Sequence, residues 1–367
     1  MERNHLVAEI QVRIFATDFF CRTISQYINL SMKEMMRDIN YFGMREMLKD
    51  CICEVQEKAV NSSLPGISTG FKPIDDLTGG LENGKVYVIG GRPCMGKEEF
   101  MLSMIIDIVL ESRLPVLMFS TNHLKTDYVQ RLLAILCDIP ITHLSQGFLE
   151  IHEWERLDKN VGALLDAPLF IHDSLDLPSN ELTETARNCI REKGTKIIFI
   201  DCLQMIDFAN EDETSSERIA KVMCSLKQLA CFFDIPIVIG SMLNRGVENR
   251  EGIEGKQPQL MDLANSSYIE GLADVIMMVH RPEYYRIYQD DHGRDLHGLM
   301  EIFVEKNNLK PLCNILLDYH QDTGVVSVRK NTIKSSSKLV SMKELGTDNK
   351  AVKSLIDSFG LEEELPF

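Results

Sequence analysis

Seven consecutive residues constrain this chain more than any others: Gly91-Arg92-Pro93-Cys94-Met95-Gly96-Lys97 reads as GxxxxGK. The apolar run Val86 to Ile89 precedes it and the amphipathic stretch Glu98 to Glu111 follows it, so a strand leads in and a helix leads out. Glycines let successive backbone N–H groups curl around phosphate, the helix start adds partial positive charge, and Lys97 reaches the terminal phosphate oxygens. The alternation continues downstream. Short apolar runs at Val116 to Phe119, Leu169 to His172, Ile197 to Ile200, Ile237 to Ile239, Val275 to Val279 and Glu301 to Val304 predict strands. Thr126 to Leu136, Leu182 to Arg191 and Ser216 to Phe233 predict helices between them. Strands that are apolar throughout, joined by helices, imply an α/β fold whose mainly parallel sheet is covered on both faces. A hairpin is expected last, with Ile315 to Tyr319 and Val325 to Val328 flanking the turn Asp322-Thr323-Gly324.

Upstream, from Ile10 to Val60, apolar residues recur at helical spacing, as in Met32, Met35, Met36 and Ile39 and again in Met47, Leu48, Cys51, Ile52 and Val55. Asn61-Ser62-Ser63-Leu64-Pro65-Gly66 breaks the pattern. These features divide the chain into a short helical segment, 1–62, an α/β domain, 63–330, and a polar tail, 331–367, expected to be flexible. About 60 helical residues are few for a core of their own, so the Met-rich face is expected to pack on the next domain or a neighbouring subunit. The balance of 39 Lys+Arg against 55 Asp+Glu, a net charge of −16, excludes a chain that coats nucleic acid by bulk charge. The ten cysteines form no CxxC pair, and Cys51 with Cys53 lacks a second pair at zinc-site spacing, so no metal is assigned to cysteine. Cysteines inside apolar runs, a start without a signal-peptide pattern and no stretch of about 18 apolar residues together predict a cytoplasmic protein with no membrane span.

A phosphate-binding loop needs an acid at the end of a neighbouring strand, and Ile197-Ile198-Phe199-Ile200-Asp201 supplies one. Asp201 is accordingly the candidate for ordering a magnesium ion and its waters. Thr69-Gly70-Phe71, Asp75, Thr78-Gly79-Gly80-Leu81, Gly84 and the loop Gly91 to Lys97 resemble the opening of the motor domain of DnaB-type replicative helicases. Phe119-Ser120, Ile200-Asp201, Leu203-Gln204, Leu229-Ala230, Ile235-Pro236, Leu243 with Arg245, Ile269-Glu270, Ala273-Asp274 and Lys306 continue the resemblance, over about residues 64 to 330. It implies a RecA-like P-loop NTPase fold, ATP and Mg2+ as cofactors, ATP held between subunits of a hexameric ring, and single-stranded DNA in the channel. The segment before residue 62 then resembles only that family's linker region. The terminal Glu362-Glu363-Glu364-Leu365-Pro366-Phe367 resembles the acidic tip of bacterial single-stranded DNA-binding proteins, a docking peptide for replication proteins.

Five positions depart from the family's pattern. Glu98 stands where a Ser or Thr would ligate magnesium; its carboxylate can hold a hard cation but puts negative charge beside the phosphates. Asn122 stands at the general-base position, and an amide cannot take a proton, a loss of about 10²- to 10⁴-fold in rate. Met242 replaces the glutamine that senses the γ-phosphate, and Ala264 an arginine of the loop facing DNA. Asn308 replaces the trans-acting arginine finger two residues past the retained Lys306, and a finger is worth about 10³ to 10⁵ in hydrolysis. His123 is the neighbour that could act as a base, and Arg245, Arg250 or Lys310 could restore a lost charge. Within His280 to Arg286, Tyr284 or Tyr285 could stack on a base, and Gly246 to Gly255 reads as a mobile loop. The expectation is a DnaB-like helicase homologue that binds ATP, works in DNA replication or recombination and hydrolyses ATP poorly by itself. Two other readings stay open: a non-hydrolysing regulatory or structural subunit of a homo-hexameric or mixed helicase ring, and a RecA-like ATPase acting on a protein partner.

Overall fold

A computed structural model describes residues 43–44, 47–49, 51–52, 64–207, 214–264, 266–290, 292–308 and 312–329. The expectations for the helical segment 1–62, for Lys310 and for the tail with its acidic tip therefore lie outside the described residues, apart from a few positions such as Met47 and Leu48, which are helical. The compact unit Ser63–Lys338 carries the fold. Its elements run α1 (Lys72–Thr78), β1 (Val86–Gly91), α2 (Lys97–Leu110), β2 (Val116–Ser120), α3 (Lys125–Cys137), α4 (Ile141–Gln146), α5 (Ile151–Leu165), β3 (Leu169–Asp173), α6 (Ser179–Lys193), β4 (Ile197–Ile200), α7 (Ser215–Phe233), β5 (Ile237–Met242), α8 (Ser266–Leu272), β6 (Val275–His280), β7 (Leu299–Asn307), β8 (Asn314–Tyr319) and β9 (Val326–Val328).

One nine-stranded sheet has the order β3-β2-β4-β5-β1-β6-β7-β8-β9. The first six of that order pair in parallel, and β7, β8 and β9 extend the sheet antiparallel. The inner parallel strands are mostly apolar because each face meets its own core, whereas the edge strand β3 is half-buried along its length. Val86, Val88, Phe119, Ile198, Ile200 and Ile239 pack with Val222, Leu226 and Leu229 of α7. Tyr87, Ile89, Met118, Phe199 and Val238 pack on the other face with Phe100, Met104 and Ile108 of α2. Full burial of each such side chain contributes about 1.5–3 kcal/mol, so a one-residue slip, which moves every side chain to the opposite face, is strongly disfavoured. The hairpin β8–β9 turns at Gly324, whose φ of 74° a residue with a side chain rarely adopts.

Helix ends follow local chemistry. A capping box starts α7, with Thr214 accepting from the Glu217 N–H and Glu217 reaching back, and Asp234 ends it in the left-handed conformation at φ 51°. The apolar periodicity predicts no helix over α1, α4, α5 or α8, and the structure has all four. In α5 the reason is visible: it opens on a Glu150–Glu153 capping box, but of its residues only Glu153 is buried. Ile151 is 82% exposed, Trp154 55% and Leu165 80%, beside Phe148 at 74%, while Leu157, Val161 and Leu164 are half-buried and Leu164 packs on the core, so apolar groups lie on two faces and blur the periodic signal. Among the described residues no helix is long and apolar enough to cross a membrane.

Candidate nucleotide-binding site

The loop begins where β1 ends, with Gly91 flanked by Met242 of β5 and Val279 of β6. It turns through Cys94 at φ 63° and Gly96 at φ 85°, and α2 starts at Lys97. At the φ of Gly96 a residue with a side chain is strained, so the backbone conformation favours glycine there. Pro93 and Cys94 are exposed at the bend, while Met95 is buried beneath it. Arg92 faces away from the loop's interior, donating from Nε to Glu248 Oε1 at 2.8 Å and from Nη1 to the Leu243 carbonyl at 2.8 Å. Arg281, 4% exposed, donates from Nη1 to the Cys94 carbonyl at 3.2 Å and lies 4.3 Å from the Tyr319 ring centre. Lys97 is only 7% exposed, yet its ammonium donates no hydrogen bond to any described residue. A nearly buried cation without a hydrogen-bonded anion, at the first turn of a helix whose first N–H groups lack intrahelical partners, fits a phosphate group.

Asp201 follows β4 and is fully buried. The neighbouring strand touches it closely: a Cβ on Gly240 would lie 2.1 Å from the Asp201 carbonyl oxygen. Its Oδ1 accepts from the Thr121 N–H at 2.9 Å and the Thr121 hydroxyl at 2.6 Å. Its Oδ2 accepts from the Asn122 N–H at 3.2 Å and the Tyr128 hydroxyl at 2.7 Å. A carboxylate has about four lone-pair sites, and four donors occupy them. Burial, with the adjacent Asp201 and Glu98 charges, pushes the Tyr128 phenol up, so it stays a donor.

Glu98 is likewise engaged. Its Oε2 accepts from Arg131 Nη1 at 2.9 Å and meets His123 Nε2 at 3.1 Å, and the same Arg131 nitrogen reaches Glu99 Oε1 at 3.1 Å. Burial alone would raise the Glu98 carboxyl, but the His123 hydrogen bond and the charges of Arg131, His123 and Lys97 together hold it below its ordinary value. The hydrogen bond to Glu98 raises His123 more than burial lowers it, whereas burial raises Glu99. Among the described residues no group of three His, Cys, Asp or Glu could hold a metal ion. The loop and Lys97 fit a phosphate, whereas of the two expected magnesium ligands Asp201 has every lone pair taken by a protein donor and Glu98 has only Oε1 open, an arrangement that does not fit a divalent cation.

Of the other substituted positions, Asn122 and Met242 lie at the site. Asn122 is half-buried against Asp201, and the Met242 N–H is held by Gln204 Oε1 at 2.9 Å beside Gly91. Lys306 and Asn308 are not brought to this loop. Val275 pairs with Asn307 while Val279 pairs with Ile302, so the end of β7 lies about 13 Å of strand away, where the parallel strands begin. There Lys306 Nζ donates to the carbonyls of Glu270 and Ala273, both at 2.6 Å, at the C-terminal end of α8, and Asn308 lies 3.5 Å from Asp274 Oδ1. The segment 246–255, expected to be mobile, forms short turns tied by its own charges. Arg250 pairs with Asp262, Lys256 donates to the Glu248 carbonyl at 2.6 Å, and Glu248 holds Arg92. Arg250 is therefore not free to restore a lost charge, and Arg245 is exposed. Ala264 donates its N–H to the Met242 carbonyl at 3.2 Å. Tyr285 stacks on His280 at 5.7 Å with Lys256 5.4 Å from its ring centre, while Tyr284 is 44% exposed.

The model of the DnaB-like helicase C terminal domain family matches residues 66–326 of this chain. The chain belongs to that family. The replicative DNA helicase DnaB of Treponema pallidum (strain Nichols) is 35% identical to it over 281 residues, 73% of this chain and 62% of that protein. That of Leifsonia xyli subsp. xyli (strain CTCB07) is 30% identical over 273 residues, 74% of this chain and 58% of that protein. The chain thus spans about three fifths of the length of these curated relatives. Among solved structures, one described as an ATPase domain gives a TM-score of 0.71 at 23% identity and covers 79% of this chain and 100% of that one. A DnaB-like replicative helicase, described with its interactions with primase, gives 0.70 at 23% identity and covers 84% and 75%. These two show the fold, the expected RecA-like α/β arrangement.

Within this DnaB-like frame, reading the sequence misses Thr121, Tyr128, Arg131 and Glu99, which close the site around Asp201 and Glu98. The one signal in the chain is spacing: Tyr128 and Arg131 stand three apart on α3 and so share a helix face.

Proposed function

We propose that this DnaB-like chain binds ATP at residues 91–97, works in DNA replication or recombination, and hydrolyses ATP weakly by itself. Asn122 carries the reading: at the position where the resemblance implies a general base, the site offers an amide. His123 is a poor substitute, because its imidazole is engaged by Glu98 and raised toward the protonated form, which accepts no proton. Met242 brings only a thioether beside Gly91, and Asn308 brings no guanidinium to any site. Losses of base and finger, about 10²- to 10⁴-fold and 10³- to 10⁵-fold, are not additive, yet either takes most of a motor's rate.

The distance of Lys306 and Asn308 from the chain's own loop supports a site completed by another subunit. The assembly read from it is a homo-hexameric or mixed helicase ring with single-stranded DNA in its channel and the acidic tail docking replication proteins. Asn308 favours a second reading in the same setting, a non-hydrolysing subunit of a mixed ring, because a neighbour whose nucleotide it faces receives no finger. ATP binding and DNA-stimulated hydrolysis by the purified chain, with Lys97→Ala as control, test the reading. Binding that Lys97→Ala removes, with turnover near background, is expected. Turnover of more than a few per minute that Lys97→Ala abolishes refutes weak hydrolysis.

A further inference from the structure

We infer that this site takes up its nucleotide without a divalent cation, Arg131 standing beside the phosphate-binding loop where the charge of a metal would otherwise act. The inference rests on the reading that residues 91–97 bind a nucleoside triphosphate. Magnesium demands near-octahedral oxygen ligands and, even when held through its waters, an open acceptor on the protein. Asp201 has none: Thr121 donates twice, Asn122 once and Tyr128 once. Moving any of these aside leaves a buried donor unpaired and gives up a hydrogen bond to a charged group.

Glu98 offers little more. Arg131 and His123 both meet its Oε2, which leaves one oxygen, Oε1, flanked by a guanidinium and by Lys97, two charges that repel a cation. Arg131 is in turn fixed at the first turn of α2, because Glu98 and Glu99 both hold it there. Its hydrogen bonds to these acids use Nη1 alone, so Nε and Nη2 keep N–H groups for a phosphate oxygen. A guanidinium binds phosphate in a planar, two-pronged way and does not lose its charge. A side chain that is always present thus replaces an ion that must be recruited, and the carboxylate at position 98 anchors it.

Calorimetric titration of the full chain with ATP, in magnesium-containing and in EDTA-containing buffer, tests this. The two affinities are expected to agree within about threefold. Binding that is about tenfold or more tighter with magnesium, equivalent to ~1.4 kcal/mol, overturns the inference while leaving nucleotide binding intact. Binding in neither buffer overturns nucleotide binding itself and the inference with it. Two variants test the cause, each first checked for native circular dichroism. Arg131→Gln is expected to weaken binding in EDTA by about tenfold, since one charge-assisted phosphate contact is lost. Glu98→Ser/Tyr128→Phe supplies a hydroxyl and opens one Asp201 lone pair, and is expected to make binding about tenfold tighter with magnesium than without. Arg131→Gln with unchanged affinity in EDTA, or a double variant still indifferent to magnesium, overturns the assignment.

Discussion

Tyr128→Phe removes one oxygen atom and nothing else from the interior. Tyr128 is 1% exposed and its hydroxyl donates to Asp201 Oδ2 at 2.7 Å, while Asp201 itself is wholly buried. The phenyl ring stays, so no cavity larger than the hydroxyl opens and the hydrophobic contribution is unchanged. What is lost is a hydrogen bond to a charged group, worth about 1.5–3 kcal/mol. The structure therefore sets the loss of stability at about 2 kcal/mol, or about 4–8 °C in Tm for a unit of this size. Against a total of about 5–15 kcal/mol the variant still folds. Urea unfolding followed by far-UV circular dichroism measures it, with a lower midpoint at constant slope as the expected signature. Tyr284→Phe, at a residue 44% exposed, is the control and should change little. A loss for Tyr128→Phe below about 0.5 kcal/mol, no larger than an ordinary surface change, would show that Asp201 does not depend on this donor.

Gly240→Ala should cost at least about 3 kcal/mol, because its Cβ would lie 2.1 Å from a backbone carbonyl that cannot swing away; a soluble variant with unchanged Tm sinks this packing argument. Glu98 lies below its ordinary 4.5 and His123 above its ordinary 6.5, so the Glu98 contribution fades as pH falls below 4.5 and that of His123 fades as pH rises past 6.5. The stability margin of the wild type over His123→Gln is accordingly largest between these values and shrinks as pH rises beyond 6.5; a margin that does not shrink is the contrary result. Burial raises Glu301 to about 7, and the His280 ring 3.9 Å away gives it no charge partner because burial lowers that ring to about 4. A raised acid is lost to stability as pH climbs through its folded value, so Glu301→Gln should remove a decline of up to about 3 kcal/mol between pH 4.5 and 7; parallel pH profiles for the two proteins would contradict this.

Most of what the sequence discloses about this fold is contiguous. The inner parallel strands are runs of neighbours buried on both faces, as Val86 to Ile89 and Ile197 to Ile200 are, and the phosphate loop is seven residues in a row. Asp201 is legible for the same reason, since it directly follows an apolar run. The closure of the site is not contiguous: Tyr128 and Asp201 are 73 positions apart, Arg131 and Glu98 33. Tyrosine and arginine three apart on a helix read as one core and one surface residue, and only the crossing of α3 over the start of α2 turns them toward two acids. Lys306 shows the opposite failure. Its place in the motif is readable, but its hydrogen bonds to the carbonyls of Glu270 in α8 and Ala273 just past it, 36 and 33 positions away, depend on the antiparallel return of β7. The helix α5 escapes a reading by periodicity because its apolar groups lie on two faces, Ile151, Trp154 and Leu165 outward and Leu157, Val161 and Leu164 half-buried.

That outward face has a practical consequence. Trp154, the sole tryptophan of the chain, lies on it at 55% exposure, next to Ile151 and Phe148. Indole emission excited at the red edge of the protein's absorption therefore comes from one spot and no other. A half-wetted indole changes its surroundings little when the chain unfolds, which makes this light a weak gauge of folding. Anything that settles over α5 removes water from the ring and shifts the emission to shorter wavelength. The protein thus carries its own unlabelled sensor for whatever covers that face, readable at micromolar concentration without altering a residue.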